Sequence, residues 1–267
     1  MTGSADPRAN RPRHPAVAGV AINLGTLADA VGETVARLQR GDGFTLFTLN
    51  LDHVVKLRWN PAFRAAYRRA TLVSADGWPV AWLANRGASR GEGRVRRTAG
   101  SDLVEPLCEV AARRGIPIYL VGPERGVQSA AMAALRRRYR GLRFVGAEAP
   151  QIPPDGAPFD HEALARRIAA SGAKLCILCL GAPKQELLAD VLARQCPDIG
   201  FVCAGAALDF IADVVSRAPE WMRRVGLEWL WRLAHEPRRL AGRYLACAYI
   251  LVLLGLGFPV IPGQKHP

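Results

Sequence analysis

The chain has no D-x-D pair, no H-E-x-x-H and no cluster of cysteines with histidines, so the common ligand patterns for a catalytic metal are missing. No Walker pattern occurs and no G-x-G-x-x-G follows a strand-like run, which argues against P-loop and dinucleotide sites. No apolar run reaches the ~20 residues that a membrane-spanning helix needs. The nearest candidate, 244–258, is shorter and contains Gly255 and Gly257, so an interfacial helix is expected there. Residues 1–15 are polar, hold three prolines and lack an apolar centre, which excludes a secretory signal peptide at that position.

Negative charge is also scarce: 23 Asp and Glu stand against 36 Lys and Arg, for a net charge of +13. Such an excess attracts polyanions, whether nucleic acid, anionic lipid or nucleotide phosphate. Most of it is arginine set among Leu and Trp in helical stretches, with no long basic tail and no nucleic-acid motif. A phosphorylated substrate or an anionic membrane therefore fits better, and no nucleic-acid partner is expected. Half of the 267 residues are apolar and 22% are charged, the balance of a globular chain with a sizeable core.

The six cysteines read as buried and reduced. Cys176 and Cys179 have C-x-x-C spacing, but they lie in KLCILCLG, a strand-like run in which positions three apart point to opposite faces. They cannot share a metal.

Strand-like and helix-like segments alternate through the first 205 residues. Apolar runs at 17–22, 44–49, 72–73, 116–121, 143–145, 175–180 and 199–203 read as strands, separated by helical patterns at 27–40, 51–59, 61–70, 77–85, 102–114, 127–139, 161–170 and 183–195. That order predicts an α/β fold with a mainly parallel sheet covered by helices on both faces. The chain divides into a disordered leader at 1–15, a core at 16–213, an Arg- and Trp-rich helical appendage with an apolar tail at 214–258, and a disordered end at 259–267.

Ligands of such sheets sit beyond the carboxyl ends of the strands. Ser74-Ala75-Asp76-Gly77 puts an isolated carboxylate there, readable as a helix N-cap or as a general base. Thr48 and Asn50 end the preceding strand and would face the same crevice. In GAPKQE, Lys184 and Gln185 stand beside a helix N-terminus, where free N–H groups favour an anion. His53, after Asp52, reads as a packing residue.

These segments resemble the WecG/TagA/CpsF family of bacterial glycosyltransferases, glycosyltransferase family twenty-six. The resemblance rests on TLNLDHVVKLRWNPAFRAAYRRATLVSADGWPVAW, AGSDLV, IYLVGPERGV, LGAPKQE and RAPEWMRRVGLEWLWRLAHEPRRLAGRY, in that order over about 17–245. It implies a compact Rossmann-like fold of the GT-E type and an inverting enzyme. Such an enzyme moves a sugar from a UDP-sugar donor to a polyprenyl-diphosphate-linked saccharide in cell-surface or xanthan-like exopolysaccharide assembly, with glucose or N-acetylmannosamine as donor sugars. It implies a peripheral place on the cytoplasmic face of the bacterial inner membrane, with a C-terminal segment that associates with the membrane and completes the site. The family's base falls on Asp76; Thr48, Asn50, Lys184 and Gln185 match its pocket motifs, and Arg232, Arg239 and Arg243 its donor-diphosphate arginines. No cofactor is expected, although a divalent-ion effect stays open, as does a homo-oligomer.

Two stretches depart from the family's usual pattern: Trp78-Pro79 after A-D-G, and residues 203–213 after the last core strand. Both flank the expected sugar pocket and put the donor sugar, not the reaction class, in question. Arg232 and Arg239 are expected to turn inward, while Trp221, Arg223, Arg224 and the tail meet the bilayer. A basic, non-catalytic scaffold at the membrane surface is the competing reading.

Overall fold

The computed structural model describes residues 14–86, 93–153 and 159–262. Six parallel strands form one sheet in the order β4-β3-β8-β7-β5-β6, with β3 (Phe44–Leu49), β4 (Leu72–Ala75), β5 (Ile118–Val121), β6 (Phe144–Glu148), β7 (Leu175–Leu178) and β8 (Gly200–Cys203). Strand side chains alternate between two cores. Phe47, Leu49, Val121, Leu178 and Phe201 pack on one face, and Leu46, Leu120, Ile177 and Val202 on the other. Both faces are buried, which is why these strands read as continuous apolar runs. The alternation sends Cys176 into one core and Cys179 into the other, and the six cysteines are all buried and free.

Helices α1 (Leu27–Arg40), α5 (Gly100–Arg114), α6 (Arg125–Arg138) and α9 (Ala207–Ile211) cover the second face. The first face is covered by α2 (Leu51–Trp59), α3 (Pro61–Arg69), α4 (Trp78–Arg86), α7 (His161–Ala170) and α8 (Lys184–Gln195). Their ends follow local chemistry. Thr26 caps α1 by accepting the Asp29 amide at 3.1 Å, and Gly41 closes the helix in the left-handed region at φ 74°. Asn60 caps α3 and Pro61 fills its first turn.

The strand expected at 17–22 is instead a small hairpin of β1 (Ala16–Val17) and β2 (Val20–Ala21). Ala18 and Gly19 both take positive φ, 52° and 75°, the mark of a two-residue hairpin turn of the primed kind. Residues 23 and 24, just after it, cover the β4 edge: Asn23 exchanges hydrogen bonds with Thr71 and Val73, and Leu24 bridges Ser74.

After the sheet come α10 (Glu220–Arg224), α11 (Glu228–His235) and α12 (Pro237–Gly255). The C-terminal segment packs on the core: α12 lies along α2 and touches α4, and Ile250 and Val260 are buried in the first core. The expected leader lies outside the described residues up to residue 13, and the expected disordered end from 263. Among the described residues no helix is long and apolar enough to cross a membrane.

Candidate active site

The carboxyl ends of four neighbouring strands, β4, β3, β8 and β7, deliver the polar residues to one crevice, and α10 to α12 form its far wall. Two adjoining cavities occupy it. One, of about 360 Å³, is lined by Asp76, Trp78, Arg97, Glu228, Trp229 and Tyr244. The other, of about 890 Å³, is lined by Thr48, His53, Lys56, Gln185, Asp209 and Arg239. Asn50, Asp52, Ala204, Ala206, Arg232 and Arg243 line both.

Asn50 is the N-cap of α2, its Oδ1 accepting the His53 amide at 3.0 Å. The cap fixes the other end of the amide, which lies toward the Asp76 carboxylate and favours its charged form. Asp76 directly follows β4, its N–H donating to the Leu49 carbonyl at 2.7 Å, and Gly77 turns the chain into α4 at φ 92°. Burial lifts the Asp76 carboxyl to about 6 against the pull of the nearby Arg97 guanidinium; Glu228 adds to the rise, the Asn50 amide opposes it and Asp102 adds to it. Asp76 makes no salt bridge among the described residues. A carboxylate in that state, at a cavity wall, is suited to take a proton near neutral pH.

Gln185 is buried and acts as a clamp. Its Oε1 accepts the amides of Leu180 at 3.3 Å and Gly205 at 3.0 Å, and its Nε2 donates to Glu186 at 2.7 Å. It thereby holds the loop after β7 against the loop after β8, both of which floor the larger cavity. Lys184 is not brought into the Asp76 crevice: its Nζ donates to the Ile152 carbonyl at 2.6 Å, beside a separate pocket of about 220 Å³.

The three arginines of the C-terminal segment arrive by different routes. Arg243 pairs with Asp52 at 3.1 Å, and Lys56 shares that carboxylate. Arg239 pairs with Glu236 one helical turn away and is largely exposed. Arg232 makes no salt bridge among the described residues, and its buried Nε has no hydrogen-bond partner. A guanidinium so placed, between two cavities, has donors to spare for an anion.

Under the larger cavity lies a buried polar group. His53 Nδ1 is 2.6 Å from the Tyr67 hydroxyl and its Nε2 is 3.9 Å from Glu186. Burial holds the imidazole neutral, with its pKa down at about 3, and pushes the Glu186 carboxyl up to about 7. His53 is the packing residue that its position in α2 suggests.

Several functional positions escape the sequence. Arg97 lies two residues before the AGSDLV motif and nothing in the sequence singles it out; the signal is Gly100, where a Cβ would come within 2.9 Å of the Ala204 backbone. That glycine lets α5 start against the end of β8 and brings Arg97 to the crevice. Arg223, expected to face the bilayer, lines the Asp76 cavity and donates to the Ala218 carbonyl at 3.1 Å; the turn just after α10 is packed on Trp78 of α4 at Gly226. The side chain of Arg224 lies outside the described residues. Trp221 is 62% exposed. Trp78 and Pro79 both line the Asp76 cavity, and Gly226 is pressed on Trp78 so closely that a Cβ there would meet the ring at 2.5 Å.

The sequence model of the glycosyl transferase WecG/TagA/CpsF family matches residues 15–258, and the chain belongs to that family of transferases.

Proposed function

We propose that the chain is an inverting glycosyltransferase that moves a sugar from a UDP-sugar to a polyprenyl-diphosphate-linked saccharide in the assembly of a bacterial surface or exported polysaccharide. The observation that carries this reading is the pairing of the two cavities: a carboxylate in one, Asp76, and a cation at the junction with the other, Arg232, both free of salt bridges among the described residues.

In this reading the larger cavity holds the nucleoside diphosphate, with Arg232, Arg239 and Arg243 toward its phosphates and Thr48 and Gln185 in its floor. The sugar lies at the junction, and the acceptor enters the smaller cavity past Trp78 and Trp229. Asp76 takes the proton of the acceptor hydroxyl as its oxygen bonds to the anomeric carbon from the face opposite the leaving group. The bond from that carbon to the diphosphate oxygen breaks, UDP keeps the electron pair, and the anomeric centre inverts. The arginines stabilise the charge that grows on the diphosphate, a role that divalent ions fill elsewhere. Asn50 holds the carboxylate in place.

Exposed apolar residues on α12 and the exposed Trp221 of α10 support a peripheral position on the cytoplasmic face of the membrane, where a polyprenyl acceptor is found. The test is UDP release from UDP-glucose, UDP-N-acetylmannosamine and its uronic acid, with synthetic polyprenyl-diphosphate saccharides as acceptors and with EDTA in a parallel arm. Acceptor-dependent release of UDP in EDTA is expected. Binding of acceptor vesicles without release from any of these donors would favour a scaffold instead.

A further inference from the structure

Asp76 and Arg97 are held side by side by the backbone. The Thr98 amide donates to the Ala75 carbonyl at 2.7 Å, and the Ser74 hydroxyl donates to the Thr98 carbonyl at 3.0 Å. Both side chains line the same cavity. Yet the guanidinium is committed elsewhere: Nη1 donates to Asp102 at 2.7 Å, and Nη2 to Glu228 at 2.9 Å. The second oxygen of Asp102 takes Arg217, which also donates to the Ser101 hydroxyl at 2.9 Å. Arg97 and Arg217 thus pair with two carboxylates, Asp102 and Glu228, and Asp76 beside them is left without a salt bridge among the described residues. Of its other charged neighbours around the cavity, Asp52 and Arg243 pair with each other, Arg223 is tied to a carbonyl, and Arg232 lies at the junction with the larger cavity.

Asp102 belongs to the core, but Glu228 comes from the first turn of α11, in the C-terminal segment. We infer that Glu228 is a positioning residue for sugar transfer: by occupying Nη2 of Arg97 it keeps that guanidinium from closing on Asp76, so the base is free only while the C-terminal segment is docked. The segment then does more than bring arginines to the donor. It also arms the base, and transfer is suppressed whenever α11 is displaced from the crevice. The electrostatics agree in sign, with Arg97 drawing the Asp76 carboxyl down and Glu228 pushing it up. The inference rests on Asp76 being the base.

The test is the pH profile of kcat/KM for UDP release by the full chain and its Glu228→Gln, Arg97→Gln and doubly substituted forms. Glu228→Gln is expected to move the acid limb down by about one pH unit or more, because an Arg97 freed to pair with Asp76 favours its charged form. It should also lower the plateau at least about tenfold, since the paired carboxylate is a weaker base. In the Arg97→Gln background the same change should cost less than about twofold at the plateau, because no guanidinium remains to release. Equal losses in both backgrounds, or an unmoved limb, would overturn the inference. Glu228→Asp keeps the charge and should hold the limb near its wild-type position, which guards against a fold defect in the amide variant. If the wild type releases no UDP from any donor, the functional reading has failed. Titration of ¹³C-labelled aspartate carboxyls by NMR then decides this inference alone: the Asp76 resonance must titrate lower in Glu228→Gln, and an unmoved resonance sinks it.

Discussion

Arg243 of α12 lies 3.1 Å from the carboxylate of Asp52 on α2. The helix that Asp52 belongs to is the one that Asn50 caps, so the pair fastens the last helix of the chain to the wall that positions Asp76. Lys56 holds the same carboxylate from the next turn. The C-terminal segment is therefore a wall of the crevice. Its inner face, with Arg232, Arg243 and Glu228, belongs to the candidate site, and its outer face is free for other use.

Asp76→Asn should lower transfer by about 10²- to 10⁴-fold, the usual cost of removing a general base. The amide can still bond to Asn50, so UDP affinity by calorimetry and the unfolding temperature at pH 6 should change little. In the wild type, kcat/KM should fall as pH drops through about 6, because the base must be ionised and its carboxyl sits at that value. Near-normal turnover in the variant would end the assignment.

Arg232 has no ion pair among the described residues to lose, so its removal should act on the ligand rather than on the fold. Arg232→Ala is expected to weaken UDP binding by about ten- to a hundredfold, the worth of one charged hydrogen bond to phosphate. Arg232→Lys should recover only part of this, since an ammonium cannot match a diphosphate with a planar fork. Arg243→Ala should cost stability as well, because it strips a partner from the poorly exposed Asp52. Calorimetric titration with UDP and thermal unfolding separate the two effects.

The parallel sheet was legible because each strand is buried on both faces and each helix has its own periodicity and caps. The hairpin at 16–21 was not, since an apolar run of six does not reveal that Ala18 and Gly19 both take positive φ. In the site, residues at strand ends could be placed by topology: Thr48, Asn50, Asp76 and Gln185 all meet the crevice. Lys184 could not, because no local pattern says which acceptor a long flexible cation takes, here the Ile152 carbonyl. Arg97, Glu228 and Arg223 depend on long-range contacts, Gly226 on Trp78 and Arg97 with Glu228, which no local pattern encodes. A helical segment rich in Arg and Trp announces two opposed faces without saying which residues belong to which.

Glu186 gives a stability prediction with a definite sign. Its buried carboxyl titrates near 7, above the value of 4.5 for a free glutamate side chain. The folded chain thus holds a proton that the unfolded chain releases. The stabilisation is complete below about 4.3 and is lost as pH rises through about 7, on the order of a few kcal/mol in all. Glu186→Gln keeps an acceptor for Gln185 and has nothing to ionise. Its unfolding temperature relative to wild type should therefore rise between about pH 5 and pH 7 and level off above that. His53, neutral when folded, has the opposite slope at lower pH. A pH-independent difference would mean that Glu186 is ionised in the fold.

The outer face of α12 carries Leu245, Tyr249, Val252 and Leu256, all exposed and spaced as one stripe of a helix, while Leu240, Cys247 and Ile250 point into the protein. Burying each such apolar side chain in a bilayer interface is worth about 1.5–3 kcal/mol by the area it removes from water. Leu245→Glu with Val252→Glu removes two of them and adds charge that anionic headgroups repel. The doubly substituted protein should lose more than about tenfold in binding to vesicles containing phosphatidylglycerol, measured by co-sedimentation. Because the stripe faces away from Arg232 and Asp76, UDP affinity and turnover of a short-chain, water-soluble acceptor should stay near wild type, while turnover of a long-chain acceptor in vesicles should fall with binding. Equal loss on both acceptors would place the stripe in the catalytic machinery. Unchanged vesicle binding would move the membrane contact to another part of the surface.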